Sequence, residues 1–265
     1  MADPCGALVV AAAQMTARVR RGDRVAVLIG VTTVAIAASG FAMRTPSAHG
    51  SVADVSPAVV DSLASPARPG SAEPNLSVAP DGRVYMTWLE PADSGHALRV
   101  ASLQGTTWTA ARTIAASREF FVNWADFPSI KVLPGGRLAA HWLQRHGPGT
   151  FTYGVRIAQS KDNGVTWSKP VTPHRDSSLT EHGFVAMWPE GDGVGAVWLD
   201  GRKFTKEGHN VANEMTLRST TIGANGARGP EVLLDNRTCD CYQNAAAVTA
   251  SKPARALPHN SSHRT

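Results

Sequence analysis

Cysteine is scarce in this chain. There are three in 265 residues, Cys5, Cys239 and Cys241. That excludes a disulfide-built scaffold. The Cys239-Asp240-Cys241 step offers too few ligands for a zinc site. An internal bridge across it would be strained, so reduced or externally paired thiols are the other reading. Charge of one sign is also lacking. Lys and Arg number 26 against 21 Asp and Glu. Arg18, Arg20, Arg21, Arg24 and Arg44 all lie near the start, so the remainder is close to neutral. Nothing in that balance points to nucleic acid. Aromatic residues make up 6% of the chain, yet seven of them are tryptophans.

The first 43 residues read as a targeting segment, basic from Arg18 to Arg24 and then uncharged over Val25–Met43. Small residues near Ala37–Gly40 suit a signal peptidase. A cleaved secretory signal and an uncleaved helical anchor are the two readings, because 19 uncharged residues nearly span a bilayer. Export to the periplasm or beyond is expected in both, with membrane contact only through this segment if it is retained. Residues 44–73 are rich in Ala, Pro and Ser and read as a linker.

From residue 74 onward a unit repeats. Asp81-Gly82-Arg83 leads to Trp88-Leu89-Glu90, Gly135-Gly136-Arg137 to Trp142-Leu143-Gln144, and Asp192-Gly193-Val194 to Trp198-Leu199-Asp200. The tryptophans lie 54 and 56 residues apart. Each unit predicts four strands. Strand one is Asn75–Val78, Ser129–Leu133 or Phe184–Trp188. Strand two ends at the Trp-Leu step. Strand three is Leu98–Leu103, Gly154–Ser160 or Met215–Thr221. Strand four is Ala110–Ala115, Pro170–Thr172 or Glu231–Leu234. Four antiparallel strands at this period make a propeller blade. Three unrelated hairpins in a β-sandwich are the competing arrangement. The expected blades are 74–116, 127–173 and 183–235, with a fourth starting at 239. The partial propeller covers 74–245, and 246–265 reads as a disordered or out-of-frame tail with no second strand.

The turn between strands three and four is most distinctive in the second unit, Ser160-Lys161-Asp162-Asn163-Gly164-Val165-Thr166-Trp167. Asn163-Gly164 tolerates positive φ. Asp162 can accept bonds from turn amides, and Trp167 has an apolar face to bury. The octet matches Ser-x-Asp-x-Gly-x-Thr-Trp and resembles the Asp-box, or bacterial neuraminidase repeat, of sialidase-like β-propellers. The resemblance implies an all-β, six-bladed fold of which about three blades are present. It makes Ser160, Asp162, Gly164, Thr166 and Trp167 structural residues remote from any active site. It implies a glycan-directed protein, an inactive relative of exo-sialidases or other glycosidases, or alternatively a non-catalytic module binding carbohydrate or protein. No cofactor and no metal are expected. Sialidases hold a sugar carboxylate with three arginines and use a tyrosine, a glutamate and an aspartate. The family's Phe/Tyr-Arg-Ile-Pro motif is missing here, Tyr85 lies mid-strand and Tyr242 in the irregular end, so no catalytic residue carries over.

Propeller geometry puts the box turns on one face and the two-to-three and four-to-one connections on the other. From blade Trp to box Gly the spacing grows from 17 to 22 to 28 residues, which marks the second face as the binding side. Its candidates for acid–base chemistry are Asp126, Glu181 and Asp200, since carboxylates carry the proton transfers of glycan chemistry. Trp124, His182, Arg202 and Arg145 are the candidates for substrate binding. Glu90, His96, His146, His174, Asp176 and His209 share that face. Asp200-Gly201-Arg202 also reads as a turn with a solvated ion pair, and His141 as a packing residue. Glycan or glycoprotein is the expected partner. Three blades cannot close a ring, so open flanks around the blade tryptophans predict self-association.

Overall fold

The computed structural model describes residues 62–93, 95–204 and 214–238, and the backbone of 246–249 and 252–256. The expected targeting segment, Cys239, Cys241, His209 and Tyr242 lie outside the described residues. Among those described there is no α-helix, and none long and apolar enough to cross a membrane.

Alternation of apolar and polar residues gives three antiparallel sheets in chain order. The first comprises β1 (Ala72–Val78), β2 (Val84–Ala92), β3 (Gly95–Gln104), β4 (Thr107–Trp108) and β5 (Arg112–Ser117). The second comprises β6 (Ser129–Val132), β7 (Leu138–Arg145) and β8 (Tyr153–Ser160). The third comprises β9 (His182–Glu190), β10 (Gly193–Asp200), β11 (Met215–Ile222) and β12 (Val232–Thr238). Each sheet is a propeller blade, running from an inner strand outward. The inner strands β1, β6 and β9 are neighbours across the blades and border a channel of about 270 Å³.

Two predicted fourth strands differ. In the second blade, Pro170–Thr172 keeps only a bridge between Val171 and Ile157, because Pro170 and Pro173 cannot donate to a ladder. In the first, the outer strand is broken into β4 and β5. The predicted tail also differs. β13 (Ala246–Thr249) and β14 (Lys252–Ala256) pair as a two-stranded hairpin, and both lie near β9.

The three repeated tryptophans have one role. Trp142 packs into the core between the first and second blades, and Trp198 into the core between the second and third. Each therefore faces back toward the preceding blade. The acid two residues on accepts the indole N–H, at 3.3 Å for Trp88 to Glu90 and 2.9 Å for Trp198 to Asp200. Trp88 has no preceding blade among the described residues, yet it is buried. Residues 62–71 lie over it: Ala67 packs against Met86, Trp88 and Ala101, and Arg68 pairs with Glu90 at 2.7 Å. The expected bare flank at the first blade is thus covered by residues expected to be linker. Ala72 and Glu73, also placed in that linker, begin β1.

The 160–167 turn closes on itself. Asn163 and Gly164 have φ of 57° and 81°. Ser160 Oγ donates to Asp162 Oδ1 and accepts from Gly164 N–H, both at 2.8 Å. Thr166 donates its N–H at 2.8 Å and its hydroxyl at 2.5 Å to the Asp162 carboxylate. These bonds hold the Asp162 pKa down at about 2. Trp167 packs against the core between the first two blades.

Candidate functional site at the channel mouth

On the face opposite this turn, the inner strands begin and the two-to-three loops close. Three successive blades each bring a carboxyl there: Glu73 at the start of β1, Asp126 in the connection before β6, and Glu181 just before β9. All three are buried. Asp126 Oδ2 accepts the N–H of Phe184 at 2.7 Å. Position 183 must be glycine, because a Cβ there would meet Asp126 Oδ2 at 2.0 Å. Tyr153 Oη donates to Glu181 Oε2 at 3.2 Å, and the Tyr153 ring stacks on Phe121 at 3.9 Å. Glu73 Oε1 accepts the N–H of Asn123. Glu73 Oε2 has no hydrogen-bond partner among the described residues.

Burial dominates the electrostatics of this group. It pushes Asp126 up to about 7 against the opposing Phe184 N–H, and neighbouring Glu181 adds to the rise. It also pushes Glu73 up to about 7, with the Asn123 N–H opposing and Asp126 adding. Tyr153 is raised well above its usual value by burial and by both acids. Like charges out of water disfavour ionisation, and Glu73 and Asp126 are both held toward their protonated forms.

A second cluster lies beside it. His182 is fully buried, with Nδ1 3.2 Å from Thr180 O and Nε2 3.1 Å from Asp176 Oδ2. His174 stacks on it at 4.0 Å, and burial followed by the charge of His182 lowers His174 to about 3. Asp200 is gripped by Arg202 through two bonds of 2.6 Å and by Trp198. Arg202 reaches Glu231 at 2.8 Å, which also takes Arg218 at 2.9 Å. Asp176, His182 and Asp200 have donor types that suit a metal ion, with ligand atoms within 4.8 Å of one another. Those atoms are already engaged: Asp200 by Arg202 and Trp198, Asp176 by His182 and Ser178.

The mouth therefore gathers Asp126 and Glu181 but not Asp200, whose oxygens belong to an ion-pair network with Arg202, buried rather than solvated. Arg202 is committed to the same network. His182 is enclosed. The Arg145 guanidinium lies 5.2 Å over the Phe121 ring. Trp124 stands 94% exposed rather than capping a blade. His141 is buried with Nδ1 3.0 Å from Ser129 Oγ, in keeping with packing. Glu73 and Tyr153 are the residues missed from sequence. A signal for Glu73 existed: the repeat spacing carries Asp126 and Glu181 back to within two residues of it.

These features define a β-propeller with a cluster of buried carboxyl groups at its channel mouth. No family model matches the chain, and no curated protein matches it. Solved structures that resemble it include an α-L-arabinanase of Penicillium chrysogenum complexed with arabinobiose, at 16% identity and TM-score 0.43, over 62% of this chain and 49% of that one. A protein of unknown function from Dyadobacter fermentans resembles it at 16% identity and TM-score 0.44, over 64% and 44%. An endo-1,4-β-xylanase of Bacteroides thetaiotaomicron does so at 16% and 0.40, over 63% and 60%. The match spans about half the length of the first two. Similarity at this level assigns no activity to the chain.

Proposed function

We propose that the chain is an exported, glycan-directed β-propeller of the sialidase-like, Asp-box kind, whose channel mouth performs acid–base chemistry on a sugar. The self-closed 160–167 turn supports the kinship, and the basic stretch followed by uncharged residues 25–43 supports export. The observation that carries the function is the convergence of Glu73, Asp126 and Glu181 from three blades, with Asp126 near 7. A carboxylic acid that retains its proton at neutrality can donate it to a leaving oxygen, and a neighbouring carboxylate can take one up. One observation favours a binding-only role: the three carboxyls are each under ten per cent exposed. Arg202 is tied to Asp200 and Glu231, so the carboxylate clamp of a sialidase is not reproduced by it. Screening a glycan panel for binding and for new reducing ends, with the parent chain and Asp126→Asn, tests the proposal. Binding by the parent and loss of any turnover in the variant are expected. A panel with no bound glycan rejects it. Release of sialic acid from a fluorogenic conjugate should stay at background.

A further inference from the structure

Two residues that carry side chains have left-handed backbone inside strands, Glu73 at φ 54° in β1 and Phe184 at φ 50° in β9. A Cβ makes that conformation costly, so it persists only where its surroundings impose it. Both residues lie at the channel mouth. We propose that the left-handed step at Phe184 is a positioning device for Asp126, turning the Phe184 N–H onto Oδ2 and leaving Oδ1 to carry the proton. The inference rests on the acid–base reading above.

The step recurs at one place in the blade. β1 pairs Ala72 with Leu89 and Asn75 with Thr87, so Glu73 and Pro74 stand opposite Trp88 alone. β9 pairs Gly183 with Leu199 and Ala186 with Val197, so Phe184 and Val185 stand opposite Trp198 alone. Each is a bulge whose first residue is left-handed, a position that glycine usually takes. Neither strand supplies a glycine there. In the second blade the counterpart is Phe127, two residues before the Ser129–His141 pair, and its φ is not positive. The blade architecture alone therefore does not require the step.

The two bulges share a hold on the connection that carries Asp126. Glu73 Oε1 accepts the N–H of Asn123, and the Phe184 N–H reaches Asp126 Oδ2 at 2.7 Å. At the second bulge the backbone comes so close that a Cβ on Gly183 would lie 2.0 Å from that oxygen. Asp126 is 3% exposed, and Glu73, Glu181 and Tyr153 are the titratable groups around it. An N–H donor fixes the oxygen it meets as an acceptor. In the neutral acid the proton then belongs on Oδ1. The same donor favours the ionised form, so it opposes burial and keeps the proton able to leave.

Replacing the Phe184 amide by an ester, with phenyllactate at that position, removes the N–H and keeps the ring. Carboxyl-carbon NMR on the full chain should then show the Asp126 midpoint raised by about one unit, the worth of one hydrogen bond to a charged group. Thermal melting supplies a second readout. Phe184→Gly should melt above Phe184→Ala, the reverse of the usual order in a strand. That advantage should persist in Asp126→Asn, whose amide oxygen still accepts. It should vanish in Asp126→Ala, where no acceptor holds the step. An unmoved midpoint in the ester overturns the proposal and leaves the acid–base reading standing. So does a glycine advantage that survives Asp126→Ala. A parent midpoint near 4 overturns both.

Discussion

Asp162 and Asp126 are the same residue on opposite faces of one propeller, and their surroundings drive them apart. Asp162 is exposed and meets all its partners within four residues, in a turn whose donors saturate it and hold its pKa near 2. Asp126 is buried, takes its donor from Phe184, 58 residues away, and is pushed up to about 7. A local turn can be tuned to satisfy its own groups. A site assembled from three blades gathers like charges that no local donor set neutralises. A raised carboxyl of that kind is the feature on which the proposed function rests.

The comparison is sharpened first by a neighbouring buried acid that behaves structurally. Asp200→Ala strips Arg202 and the Trp198 indole of their shared acceptor in a buried network. It should cost about 3–5 kcal/mol in chemical denaturation. Asp126→Asn should act with the opposite sign. The folded chain holds a proton on Asp126 that the unfolded chain releases near its ordinary value. The parent therefore loses stability as pH rises from about 4 to about 7. The asparagine variant should escape that loss, gaining about 2–4 kcal/mol over the parent at pH 8 relative to pH 4. A variant that tracks the parent at every pH would break the contrast. Asp162→Ala should lower the melting temperature by a few degrees and leave sugar binding intact in the folded protein, because its bonds serve only the turn. Loss of binding without a thermal shift would reverse the roles of the two faces. Trp124→Ala should move stability by no more than about 0.5 kcal/mol, as expected for an exposed side chain.

Much of this was legible in the chain. The period of the Trp-Leu-acid step revealed the blades, and the octet at 160–167 foretold a turn with positive φ at Asn163 and Gly164. The octet is carried within one turn, and the period is a short step repeated from unit to unit. The mouth was legible only as a set of loops. Tyr153 meets Glu181 across 28 residues, and nothing in an alternating strand distinguishes a tyrosine that will meet an acid. Glu73 was hidden by the Ala/Pro/Ser composition before it, although β1 begins at Ala72. The cover over Trp88 was invisible for the same reason. Residues 62–71 have no periodicity, and they are held by one ion pair and one alanine contact. Arg202 illustrates the converse: its pairing with Asp200 was readable from the turn, but the burial that makes the pair a closed network was not.

The most direct test is a carboxyl-carbon NMR titration of Asp126 and Asp162 in the same folded chain. Midpoints near 7 for Asp126 and near 2 for Asp162 are predicted. An Asp126 midpoint near 4, where an unperturbed aspartate titrates, would contradict a proton held at the channel mouth and with it the proposed chemistry.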